Sequence, residues 1–173
     1  MSSKQIKVEF KGVNDAVFAQ VWEKMKHGHR LEGAEHILGR SMADHPHWYP
    51  YFETIGIFET PSHYPGDVNP FLHINLHLLV GLQILKSTPL EAKKFYLTRL
   101  KKHDEPHDII HMMIEAFQKH LVWTAVHQGS GDVDLKAYAK TLKTLRTLKV
   151  DVLWKRLGHG SVPELHPEAS LSS

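Results

Sequence analysis

The sequence predicts an all-α fold, a helical bundle of about five to six helices around a four-helix core. Apolar residues recur at helical spacing through most of the chain. Helix-start signals precede two of these segments, at Asn69-Pro70 and in the capping box Thr88-Pro-Leu-Glu91, and Gly129 follows the longest segment. Only residues 4–10 alternate in the manner of a short strand or extended arm.

Each predicted helix has an apolar stripe. The helices are predicted over residues 15–28, 31–43, 69–86, 88–102, 104–128 and 133–157. Between helices 2 and 3, from His45 to Val68, prolines and aromatic residues predict a long, mostly irregular loop. We expect one helical metal-site domain over 1–157 and a disordered tail over 158–173, because the tail is polar and contains proline.

The composition excludes several classes of protein. A net charge of +2, from 21 basic and 19 acidic residues, does not favour a nucleic-acid partner. The most apolar segment is too short and too interrupted by polar residues to span a bilayer, and the N-terminus lacks the apolar run of a signal peptide. We therefore expect a cytoplasmic protein without a membrane partner.

The chain has no cysteine, so any metal would be bound by nitrogen and oxygen atoms. Iron is the expected metal, with manganese or zinc as alternatives.

Two pairs of histidines carry the functional prediction. His73 and His77 are four residues apart, as are His107 and His111, and Glu115 extends the second row. Residues four apart share one face of a helix. A lone histidine on such an apolar face would cost roughly 1–3 kcal/mol if its polar atoms were unsatisfied. Several on facing helices indicate a shared cation in the bundle core.

Two further residues join the predicted ligands. Glu35 falls on the apolar stripe of the second helix, and His45 lies in the loop that follows it. The full set of predicted metal ligands is His73, His77, His107, His111, Glu115, Glu35 and His45. Ferritin-like proteins repeat Glu-x-x-His, whereas this set is richer in nitrogen and closer to a hemerythrin-like arrangement.

Each of these residues also has a structural interpretation. The histidine pairs can be buried residues that form hydrogen bonds with protein atoms. Glu35 can be a solvated carboxylate on the flank of its helix, and His45 can belong to the turn chemistry of the loop.

Three motifs carry a resemblance to a known family. They are His45-Pro-x-Trp/Tyr, then Asn69-Pro-Phe-Leu-His-x-x-Leu-His77, then His107-x-x-x-His-x-Met-x-Glu115. In their order and spacing, from about residue 14 to 148, the chain resembles the small bacterial family catalogued as domain of unknown function 1841. The resemblance implies a small helical domain with these polar positions in common, and it implies no activity.

The function expected from the residues is a non-haem metal protein, with two iron ions, that oxidises or oxygenates a small molecule with dioxygen. A non-catalytic carrier or sensor of metal or dioxygen is the main alternative. A metal-dependent phosphohydrolase using His107-Asp108 and a metal-free adaptor are also open. The sequence assigns no catalytic residue, no substrate and no oligomeric state.

Overall fold

A computed structural model describes residues 7–8, 12–57, 63–129 and 131–163, which form eight α-helices and one pair of very short strands. The helices are α1 (Asp15–Lys26), α2 (Gly33–Ala43), α3 (Tyr49–Glu53), α4 (Pro70–Lys86), α5 (Leu90–Lys101), α6 (Pro106–Gln128), α7 (Leu135–Leu145) and α8 (Val150–Arg156). The strands β1 (Lys7–Val8) and β2 (Val133–Asp134) pair antiparallel. The prediction of an all-α fold is confirmed. None of the helices in the described ranges is long and apolar enough to cross a bilayer.

The chain divides into two compact units. The first unit comprises residues 11–82, and the second comprises residues 1–10 with 83–173. The single domain over 1–157 and the disordered tail stay predictions, and residues 164–173 of that tail lie outside the described part of the chain.

The first unit has an aromatic and aliphatic core. Asn14 caps α1 by accepting a hydrogen bond from the Val17 N–H at 3.1 Å, as an N-cap residue should. From α1 to α4, the buried members of the core are Phe18, Val21, Trp22, Leu38, Met42, Phe52, Ile74 and Leu78. Asn75 of α4 accepts a hydrogen bond from the Val13 N–H at 2.8 Å, which ties the chain before α1 to α4.

The core of the second unit lies along α6. Phe117 of α6 meets Tyr138 of α7 edge-on, with ring centroids 5.3 Å apart, and both side chains are buried. The Tyr138 hydroxyl donates a hydrogen bond to Gln83 Oε1 at 3.0 Å, so this buried polar atom is satisfied. As the sequence indicates, α6 ends at Gly129, which has the positive φ of 61° that glycine adopts without strain.

The single helix predicted over 133–157 is wrong. Two helices, α7 and α8, stand there, separated by a turn at 146–149. Arg99 of α5 is buried and donates a hydrogen bond to the Leu148 carbonyl at 2.6 Å, while its Nε lies 2.5 Å from Asp104 Oδ2. Because the guanidinium binds a carbonyl that a continuous helix would use internally, the break depends on a residue far away in the sequence.

The irregular loop predicted between the second and third helices is also partly wrong. A 3₁₀ turn at Pro46–Trp48 leads directly into α3, so residues 46–53 are helical. Within the same stretch, residues 58–62 lie outside the described residues. The count of five to six helices was too low because it omitted α3 and merged α7 with α8. Of the arm predicted over 4–10, the structure describes only Lys7–Val8, as β1.

Candidate metal centre

Helix α4 presents His73 and His77 on one face. The Asn69 side chain accepts hydrogen bonds from the N–H groups of Phe71 and Leu72, at 3.0 and 3.2 Å, and so fixes the first turn. The two Nε2 atoms lie 3.0 Å apart, and the ring centroids 4.8 Å apart. His77 is 3% exposed, whereas His73 is half-buried.

His45, from the end of α2, completes what we call the first histidine group: His45, His73 and His77. Its ring centroid lies 4.9 Å from that of His73 and 4.8 Å from that of His77, and its side chain is 3% exposed. His45 Nδ1 lies 2.7 Å from the Ser41 carbonyl oxygen. Since a carbonyl only accepts, Nδ1 donates its proton there, and a neutral ring then has its lone pair on Nε2. A hydrogen bond of this kind is typical of histidines that bind metals.

Helix α6 carries the second histidine group, His107 and His111. Their Nε2 atoms lie 3.1 Å apart and their ring centroids 4.5 Å apart, and both residues are half-buried. The pair sits in the first turns of α6, which begins at Pro106 with the fixed φ that suits a first helical position.

Inside each group, the ring nitrogens are spaced as metal ligands are. Ligand nitrogens of His45 and His77 lie within 4.8 Å of each other in the first group, as do those of His107 and His111 in the second. Imidazole nitrogens bind metals at about 2.0–2.1 Å. Two Nε2 atoms 3.0 or 3.1 Å apart therefore match two ligands about 91–102° apart on one ion. These angles lie between the octahedral and the tetrahedral value, so the spacing fits either geometry.

The two predicted carboxylate ligands contact other partners. Glu35 forms an ion pair with Lys24 of α1, whose Nζ lies 2.8 Å from each carboxylate oxygen. Glu115 Oε2 lies 3.6 Å from the Nε2 atom of His159, which follows α8. Each carboxylate side chain is 37% exposed. The structure thus brings His45, His73 and His77 together and gives Glu35 and Glu115 surroundings at the protein surface.

A third histidine of α6 shows what a structural histidine looks like in this protein. His120 Nε2 lies 2.8 Å from the Thr141 hydroxyl oxygen. Burial lowers the pKa of His120, and the nearby Asp134 carboxylate opposes that shift. One protein partner and partial burial account for this residue without a ligand.

Trp48 is a residue at this site that the sequence did not assign. Its indole lies against the rings of His45 and His73. The signal for it is the motif His45-Pro-x-Trp, because residues three apart in a 3₁₀ turn, here His45 and Trp48, lie on one face.

Fold and side chains together define an all-α protein with two groups of candidate metal-binding histidines. A model of the family described as Domain of unknown function (DUF1841) matches residues 13–144, which is most of the chain and includes both groups. The chain belongs to this family, and the resemblance seen in its motifs is confirmed. No curated protein and no solved structure matches it.

Proposed function

We propose that this protein is a non-haem metal protein, with iron as its metal, that oxidises or oxygenates a small molecule with dioxygen. The observation that carries the proposal is the convergence of paired Nε2 atoms, 3.0 Å apart on α4 and 3.1 Å apart on α6. Without a metal, one Nε2 of each pair can donate its proton to the other, whereas a bound cation would accept the lone pairs of both nitrogens.

The proposed ligands are the five imidazoles of both groups. The first group alone offers three nitrogens and the second offers two, whereas iron commonly takes up to six ligands, including water or dioxygen. We therefore infer that each group can bind a metal ion and that coordination positions remain on that ion for water or dioxygen. The small-molecule partner is defined only by this chemistry.

The choice of metal follows from the donor atoms. Imidazole suits iron, zinc, copper and nickel, and the chain supplies no thiolate to favour softer ions. The spacing of the Nε2 atoms fits octahedral and tetrahedral ions alike, but the proposed reaction with dioxygen requires a redox-active ion, which favours iron or manganese over zinc. Iron, when bound, would supply the electrons that dioxygen accepts. We place this activity in the cytoplasm, in line with the sequence-based expectation.

Elemental analysis tests the proposal directly. Protein produced in medium supplemented with iron and manganese, then purified and reconstituted, should hold at least one equivalent of a transition metal and show an absorption band that the apoprotein lacks. Less than half an equivalent after reconstitution would exclude a metal centre and leave the metal-free adaptor as the better interpretation. Metal binding without any reaction with dioxygen would favour the phosphohydrolase.

A second candidate is a carrier or sensor that binds metal or dioxygen without turnover. The contacts of Glu35 with Lys24 and of Glu115 with His159 favour it. With both carboxylates in contact with other residues, the proposed ligands are all imidazole nitrogens, which is closer to a hemerythrin-like arrangement. Stopped-flow mixing of the reduced protein with dioxygen separates the two candidates. A spectral change that reverses when dioxygen is removed supports the carrier, and irreversible consumption of dioxygen with a reducing substrate supports the oxidase.

A further inference from the structure

The indole of Trp48 forms a wall of the first histidine group. Its ring stacks on His45, with centroids 4.8 Å apart and planes only 8° from parallel. The same indole meets His73 edge-on, with centroids 5.0 Å apart and planes 73° apart. Trp48 is half-buried and also packs against the hydrophobic core of the first unit.

Local backbone geometry produces this stack. Pro46 opens the 3₁₀ turn, and the Trp48 N–H donates to the His45 carbonyl at 3.0 Å. Residues three apart are eclipsed in a 3₁₀ turn, so the side chains of His45 and Trp48 lie one above the other. His45 is thereby held twice, in its plane by the Ser41 carbonyl and on its face by the indole.

We propose that Trp48 is a positioning residue, which holds the imidazoles of His45 and His73 in the orientation that binds the metal. The inference rests on the proposed function and deepens it, since it identifies a residue beyond the ligands that contributes to the metal affinity of that site. A side chain whose rotamer is fixed before the metal binds loses less conformational entropy on binding. An imidazole that can rotate away spends less time in the orientation that binds the metal.

A second tryptophan provides a matched control. Trp123 of α6 stacks on His127, with centroids 4.7 Å apart and planes 16° from parallel, and His127 Nδ1 lies 2.9 Å from a backbone carbonyl. This is the same pair of contacts as at His45, but both residues are exposed and His127 belongs to neither histidine group. Replacing Trp123 therefore removes an indole–imidazole stack without touching a proposed ligand.

The experiment measures Co²⁺ affinity by competition with a chromophoric chelator. Trp48→Leu should weaken binding about tenfold, in the range found when supporting contacts of metal ligands are removed. Trp48→Phe should retain the stack and stay within about threefold of the unchanged protein, and Trp123→Leu should have no effect. The melting temperature of each apoprotein shows whether a loss of affinity reflects unfolding.

A fluorescence measurement keeps the inference testable if Trp48→Leu does not fold. Co²⁺ should quench the tryptophan emission of the unchanged protein, and most of that quenching should disappear in Trp48→Phe. Equal quenching in the two proteins, or a folded Trp48→Leu that binds Co²⁺ as tightly as the unchanged protein, would overturn the positioning role while leaving the metal site intact. An unchanged protein that binds no Co²⁺, iron or manganese would instead refute the proposed function.

Discussion

The two histidine groups share one device and differ in what surrounds it. On α4 and on α6, imidazoles four residues apart bring their Nε2 atoms to 3.0 and 3.1 Å from each other. Helical spacing alone achieves this, because residues four apart lie on one face. Both groups also lie close to the start of their helices, at Pro70 and Pro106.

In the first group, a third ring and two further contacts add to the paired imidazoles. His45 adds a third imidazole, the Ser41 carbonyl fixes its tautomer and Trp48 covers its face. His77 is 3% exposed, whereas the second pair is half-buried. The comparison indicates that a helix is enough to set the spacing of a ligand pair. In the first group, the turn after α2 adds contacts that hold the rings in place. We expect the first group to dominate metal affinity.

Among the variants considered, replacing His77 should cause the largest loss of metal affinity. The ring centroid of His77 lies 4.8 Å from each of the other two ring centroids of its group. Removing a supporting contact of a metal ligand costs about 10–100-fold in affinity, so removing the ligand in His77→Leu should cost at least about a hundredfold. Isothermal titration or chelator competition with Co²⁺ measures the change.

Two further variants show how the groups compare. His27→Leu is the control for the loss of an imidazole outside both groups, because His27 is exposed and its Nδ1 contacts a backbone carbonyl at 2.9 Å, and this variant should bind metal normally. His111→Leu should lower Co²⁺ affinity less than His77→Leu does, because His111 is half-buried whereas His77 is buried beside a third imidazole. An equal or larger loss in His111→Leu would contradict the expectation that the first group dominates. A His77→Leu protein that is as stable as the original and binds as much metal would remove the first group from the proposal.

The parts of the site that sequence could predict are those that depend on local spacing. The pair on α4 and the pair on α6 follow from four-residue intervals, and the start of α4 follows from Asn69-Pro70. Such features need only the helix itself, whose geometry is the same in any protein. The sequence also predicts His45 as a ligand, in the loop after the second helix. Its stack with Trp48 could not be predicted, because it depends on a 3₁₀ turn in a segment that the sequence indicates to be irregular.

The features that sequence missed depend on contacts between distant residues. Glu35 lies on the side of α2 that meets α1, where Lys24 binds both of its oxygens. The turn between α7 and α8 depends on the buried Arg99, which is about fifty residues away. No spacing rule within one helix contains this information, because packing decides which side chain reaches a given carboxylate or carbonyl.

His120 sharpens the comparison by showing how a buried histidine without a ligand role behaves. Burial lowers its pKa in the folded protein below the value of about 6.5 in the unfolded chain. As pH falls through 6.5, the unfolded chain therefore binds a proton before the folded protein does, and stability decreases. His120→Asn removes this proton uptake, so its melting temperature should fall less than that of the original protein, by a few degrees, between about pH 7.5 and about pH 5.5. Calorimetry of the two apoproteins measures these melting temperatures. An identical decrease in both would show that other groups control the loss of stability at low pH.

The smallest effects should come from the two carboxylates. Glu115→Gln and Glu35→Gln keep the shape of each side chain and remove its charge, and we expect each to change Co²⁺ affinity by less than about threefold. The reason is that Glu115 lies beside His159, that Lys24 already forms an ion pair with Glu35, and that both carboxylates are open to solvent. Lys24→Met is the matched control for Glu35, because it frees the carboxylate without altering it. A loss of Co²⁺ affinity of tenfold or more in Glu115→Gln would instead indicate that this carboxylate is a ligand. The second group would then include an oxygen donor, and α6 would contribute more to metal affinity than the comparison with α4 predicts.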